Sequence, residues 1–217
     1  MRKTSKIQEF SLVDQLVEAI RDAIVNGQLE PGSHIVIKKL ADTYGTSMIP
    51  VREALARLLS SRLVRVENNR GYFVAAKPSA AEFRQFVDAR ELFETSVIGM
   101  GFDNAAPRAL RTLRALNTKM EKAAQSGKRN RLAQWSSLNS AFHQTLIGLA
   151  RNTYLSNQYE DLSLGNLHLQ LVMSYPLAFD DLQTLVEQHE TMIDALEAQD
   201  RATFFQTLAA HIRFVKI

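Results

Sequence analysis

The chain has 217 residues, 46% of them hydrophobic, and a formal net charge of +3. It contains no cysteine, which excludes disulfides and thiolate zinc sites and fits a reducing compartment. The basic start MRKTSKIQEF has no apolar stretch behind it and no later run is long enough to span a bilayer. The expectation is therefore a cytoplasmic protein with no membrane partner.

The charge is unevenly placed. Residues 1–77 carry 12 Lys and Arg against 8 Asp and Glu, whereas the rest carry 14 against 15. The N-terminal third is the part that leans toward a polyanion.

A first helix is predicted over Leu12–Asn26. Leu12, Val13, Leu16, Val17, Ile20 and Ile24 form a stripe at helical spacing, Ser11 and Asp14 make a start signal, and Gly27 a stop. Pro31-Gly32 reads as a turn and Ile35–Ile37 as a short strand. A second helix fits Lys38–Tyr44, ended by Gly45. A third starts near Ser47, with Pro50 in its first turn and Val51, Leu55, Leu58 and Leu59 facing inward. Two helices separated by a glycine turn form a helix-turn-helix. The apolar runs Leu63–Val66 and Tyr72–Val74 flank Glu67-Asn68-Asn69-Arg70-Gly71, which predicts a hairpin, or wing, behind the third helix.

Ala75–Ser79 reads as a linker, and Ser79 with Glu82 as a capping box. Beyond it only helical periodicity is present, over approximate spans 79–103, 107–126, 131–150, 152–174, 179–198 and 200–216. The fold class expected is mainly α. A winged helix-turn-helix over 1–77 is followed by an all-α bundle over 78–217.

The second helix of such a pair enters the major groove with its N-terminal end first. That end is Thr46-Ser47-Met48-Ile49-Pro50-Val51-Arg52. Thr46 and Ser47 suit phosphate or base edges, and Arg52 can reach guanine O6 and N7 with both guanidinium arms. Lys38 suits a phosphate, and Arg70 and Gly71 at the wing suit phosphate or the minor groove. The alternative for Arg52 is an ion pair with a carboxylate on a solvated face.

Gly45 to Leu55, read as GTSMIPVREAL, resembles the signature of GntR-family bacterial transcription regulators. The Gly27–Gly32 turn and the Arg70-Gly71-Tyr72-Phe73-Val74 wing resemble that family too. The resemblance implies a dimer on a palindromic operator of double-stranded DNA, in the bacterial nucleoid. Many relatives carry Arg where this chain has Met48. The helix before the wing normally ends in Gly, where this chain has Arg62, a residue that would then take φ > 0.

Five histidines are present. His34 lies in the N-terminal turn, and His168 has no obvious partners. His143, His189 and His211 fall on the apolar stripes of three helices, and Asn139 stands four residues before His143 on the same face. Each could be a hydrogen-bonded core histidine. Together they could share a metal ion, and neutral imidazoles with an oxygen ligand suit Zn²⁺, Ni²⁺ or Mn²⁺. Arg90 lies on the buried side of its helix among Phe83, Phe86, Val87, Phe93 and Val97. Two readings stand open for it: an ion pair with Glu94, or a clamp for a carboxylate effector.

Arg90…Glu94, Asn139-Ser140-Ala141-Phe142-His143, Asn152, His189 and His211 resemble the FCD ligand-sensing domain of the FadR-type branch of that family. The resemblance implies a divalent metal on Asn139, His143, His189 and His211, with Asn139 at the place of a family Asp that is often replaced by Asn, and a small organic acid completing its shell. The expected function is a ligand-responsive transcription regulator, a repressor and not an enzyme. The rivals are a metal-dependent enzyme carrying a DNA module and a ligand-free architectural DNA-binding protein. The enzyme lacks a His-Glu-x-x-His motif. The architectural protein gives no reason for polar residues on three apolar stripes.

Overall fold

The computed structural model describes residues 11–60, 62–127, 131–161 and 179–214. His168 and the end of the 152–174 span lie outside the described residues. The chain divides into two compact units, Met1–Ala76 and Lys77–Ile217.

In the first unit Ser11 starts α1 (Leu12–Val25) as predicted. Its hydroxyl accepts from the Asp14 N–H, and the Asp14 carboxylate accepts from the Ser11 N–H at 3.0 Å. Leu16, Ile20 and Ile24 are buried, while Leu12, at the helix start, is 52% exposed and lies outside the stripe. The next helices are α2 (Ile37–Thr43) and α3 (Met48–Ser60). Between them Gly45 sits at φ +63, and the Thr46 N–H reaches back to the Ala41 carbonyl at 3.0 Å. That left-handed residue closes the end of α2 and redirects the chain into α3, a conformation that a Cβ would disfavour. Both α1 and α2 pack on α3, whose Val51, Ala54, Leu55 and Leu58 are buried.

The strands are β1 (His34–Ile35), β2 (Val64–Glu67) and β3 (Gly71–Val74), antiparallel in the order β1-β3-β2. The strand expected at Ile35–Ile37 is corrected to His34–Ile35. Val36 is already the N-cap of α2, with φ −86 and ψ 104, and Ile37 is its first helical residue. Arg62 takes φ +55, as the missing glycine implied, and Asn69 takes φ +61 in the wing turn.

In the second unit all described elements are helical. They are α4 (Ala80–Gly101), α5 (Pro107–Gln125), α6 (Arg131–Ile147), α7 (Thr153–Asp161), α8 (Phe179–Glu197) and α9 (Arg201–Arg213). Ser79 and Glu82 form the predicted capping box of α4, and Pro107 occupies the first turn of α5. The spans 79–103 and 131–150 each end in a separate tight 3-10 turn, Phe102–Asn104 and Gly148–Ala150, the latter closed by Arg151 at φ +51. The α5 helix packs on α6 and α8, and α9 on α8 and α4. Trp135, Phe142, Leu113, Met120, Leu196 and Phe204 are among the fully buried core residues. No described helix is long and apolar enough to cross a membrane.

Gly101, the last residue of α4, lies directly against the Leu149 and Ala150 backbone, and an added Cβ would overlap both. Backbone cannot step aside as a flexible side chain does. Gly101→Ala is therefore expected to destabilise this unit by about 3 kcal/mol, at the upper end for overpacking. Urea unfolding followed by Trp135 fluorescence checks this, and an unchanged midpoint would refute the close approach.

Candidate functional site

The first unit presents the N-terminal turn of α3 with no acidic residue in it. Arg52 is exposed and, among the described residues, makes no ion pair or hydrogen bond. The solvated ion pair considered for it is therefore not formed. Ser47 is exposed, Thr46 half-buried, and Met48 is 47% exposed. Lys38 is exposed in the first turn of α2. Arg70 at the wing tip is exposed, bonds Glu67 at 2.5 Å, and stands 5.2 Å from the Phe73 ring centroid. An exposed pair of this kind is weakly held and can exchange Glu67 for a phosphate. Gly71 is not at the tip. It is the first residue of β3, half-buried at φ +88 opposite Glu67.

In the second unit the periodicity of three helices converges on one point. His143 on α6, His189 on α8 and His211 on α9 are all buried, and one ring nitrogen from each lies within 4.8 Å of the others. The His143 and His211 Nε2 atoms are 3.1 Å apart. The His189 ring centroid is 4.4 Å from that of His211 and 5.9 Å from that of His143. Asn139 is 1% exposed, and its Oδ1 has no hydrogen-bond partner among the described residues.

The ring tautomers follow from what stands behind them. His143 Nδ1 faces Glu94 Oε2 at 2.7 Å. Burial alone would raise the Glu94 carboxyl, but the charges of Arg90 and His143 outweigh it and leave it at about 2. An ionised carboxylate only accepts, so His143 Nδ1 carries the proton. Burial pushes the His143 imidazole down, against the pull of Glu94, which keeps the ring neutral and Nε2 a bare lone pair. His211 Nδ1 faces the Gln188 Oε1 acceptor at 3.2 Å, so its Nε2 is a lone pair as well. Two imidazole lone pairs 3.1 Å apart repel unless a cation lies between them. With the orphaned Asn139 oxygen, this donor set fits a divalent metal.

Arg90 is 3% exposed, and its Nε donates to Glu94 Oε1 at 2.5 Å. The structure thus forms the internal ion pair, one of the two readings open for this residue. The Tyr159 hydroxyl on α7 donates to the same oxygen at 3.3 Å. Helical periodicity marks Glu94 only as a partner of Arg90 and gives no sign of Tyr159 or Gln188. Their roles depend on long-range contacts that helical periodicity does not carry. The one available signal was an acid one turn from a buried arginine.

Comparison with protein families matches residues 85–214 to the FCD domain and residues 12–74 to "Bacterial regulatory proteins, gntR family". The HTH-type transcriptional repressor GlaR of Escherichia coli (strain K12) is 28% identical over 200 residues, covering 89% of each chain. The gluconate operon transcriptional repressor of Bacillus subtilis (strain 168) is 25% identical over 193 residues, covering 87% of this chain and 77% of that one. Two solved structures share the fold, each covering 94% of both chains. Escherichia coli McbR/YncC has a TM-score of 0.71 at 23% identity. A GntR regulator from Rhodococcus sp. RHA1 has a TM-score of 0.74 at 22% identity.

Proposed function

The chain belongs to the gntR family of bacterial regulatory proteins, in the branch with an FCD domain, and from that premise we propose a transcription regulator whose grip on its operator is set by a small carboxylate. The observation that carries the DNA-reading part is Arg52, exposed and unpaired on the first turns of α3. A guanidinium left without an internal partner at that position can take guanine O6 and N7 together. Arg52→Ala is expected to lose about 1–3 kcal/mol of operator discrimination per half-site. A gel-shift series against single-base operator variants measures this, and wild-type discrimination would refute the assignment. Lys38, Thr46, Ser47, Met48, Arg70 and Gly71 complete the interface.

The effector part rests on the second unit. Asn139, His143, His189 and His211 would hold the ion, Zn²⁺, Ni²⁺ or Mn²⁺, which would supply a Lewis-acidic seat for an anion. All four of these ligands are neutral. The nearby Glu94 carboxylate is already balanced by Arg90 at 2.5 Å. The positive charge at the site is thus left for an outside anion to neutralise, which favours a small carboxylate. The chain acts as a homodimer on a palindrome in the cytoplasm, at the nucleoid, because two-fold operators ask for two recognition helices. Regulation is by repression, as the names of the GlaR and gluconate operon repressors state for those relatives. Effector binding changes DNA affinity only through its unequal affinity for two arrangements of the protein, commonly ~1–3 kcal/mol.

A further inference from the structure

The α3 helix carries two large apolar side chains that contribute little to its own unit. Met48 is 47% exposed and Ile49 is 70% exposed. Inward packing of the helix is supplied by Val51, Ala54, Leu55 and Leu58, three of them without any exposure and Leu58 with 1%. Ile49 stands three residues before Arg52, so the two are neighbours on the helix surface. An exposed isoleucine beside an exposed, unpaired arginine is therefore presented outward by the element that enters the groove.

On the base edges of the major groove the thymine C5-methyl is the one apolar feature, and every other distinguishing group is a donor or an acceptor. Isoleucine can neither donate nor accept through its side chain. Facing base edges, it gains by covering a methyl and loses by covering a polar group it cannot satisfy. We propose that Ile49 is a specificity-determining residue that reads the methyl of a thymine next to the base pair held by Arg52, with Met48 widening the apolar contact. This rests on the DNA-reading function above and adds to it the chemistry of a second base pair.

The experiment uses the full chain. It is first allowed to select duplexes from a random-sequence double-stranded library. Each thymine of the selected duplex is then replaced in turn by deoxyuridine, which removes only the methyl. The expected result is one sensitive thymine per half-site. Binding should weaken about fourfold for one methyl, and about fifteenfold when both half-sites lose theirs. Ile49→Ala should weaken binding to the thymine duplex by a similar factor and bind the deoxyuridine duplex no more weakly. Met48→Ala should keep the distinction. Because Ile49 is an exposed side chain, its loss leaves the fold intact, which circular dichroism checks.

Equal binding of the wild-type chain to every deoxyuridine duplex overturns the proposal while leaving the regulator reading standing. The same holds if Ile49→Ala retains the thymine preference, or if the selected half-sites contain no thymine. Failure to retain any duplex overturns both.

Discussion

Arg90→Ala is expected to destabilise the helical unit by about 3–5 kcal/mol, because it strands a fully buried carboxylate. Glu94 is 0% exposed and lies between the Arg90 guanidinium and the His143 ring. Without Arg90 the carboxylate must either stay ionised in an apolar core or take up a proton. A proton on Glu94 would also let the carboxyl donate as well as accept, so the His143 tautomer would no longer be fixed. The double variant Arg90→Met with Glu94→Gln removes both charges and should lose less stability than Arg90→Ala alone. Such non-additivity is the signature of a coupled pair. The chain has one tryptophan, Trp135, buried in this unit, so its fluorescence during urea unfolding reports this unit. The rival role for Arg90, a clamp for an incoming carboxylate, predicts a different pattern. In that case Arg90→Ala would keep wild-type stability and lose only the response to organic acids.

The second large effect concerns metal. A ligand present at 100 times its dissociation constant stabilises a fold by about 2.7 kcal/mol. For a protein of this size that raises the melting temperature by roughly 5–10 °C. The full chain, stripped with chelator and then given Zn²⁺, Ni²⁺ or Mn²⁺, should show such a rise. His211→Ala should abolish it, because His211 Nε2 and His143 Nε2 face one another at 3.1 Å and an ion held between them would lose one of its ligands. The apo form of the variant should melt near the wild-type apo value, since replacing one of two facing lone pairs also relieves repulsion. A retained metal shift in His211→Ala, or metal at wild-type stoichiometry by elemental analysis, would remove His211 from the ligand set.

What the sequence made legible was local. Ser11 with Asp14, Ser79 with Glu82 and the glycine after α2 announce helix ends through hydrogen bonds that span three to five residues. The three histidines were legible as a cluster because each sat on an apolar stripe, and burial of a stripe sends its polar members to a common centre. The positive φ of Arg62 could likewise be expected from a position where the family places glycine. The rest is tertiary. Glu94 and His143 are 49 residues apart, and Tyr159 is 65 from Glu94. No pattern within one helix says which carboxylate stands behind which imidazole. The same limit explains β1. Its two residues pair with β3, with His34 opposite Phe73, while the apolar run Ile35–Ile37 hides the point where strand becomes helix.

The order of these parts along the chain has a consequence for synthesis. The first compact unit ends at Ala76, whereas the last histidine of the buried cluster is residue 211. At roughly 5–20 residues per second, the ribosome needs on the order of ten seconds to travel from one to the other. A newborn chain therefore holds a complete gntR-type DNA-binding unit for some seconds before α9 brings His211 into place beside His143 and His189. During that interval the nascent protein has its DNA-binding unit without the buried histidine cluster.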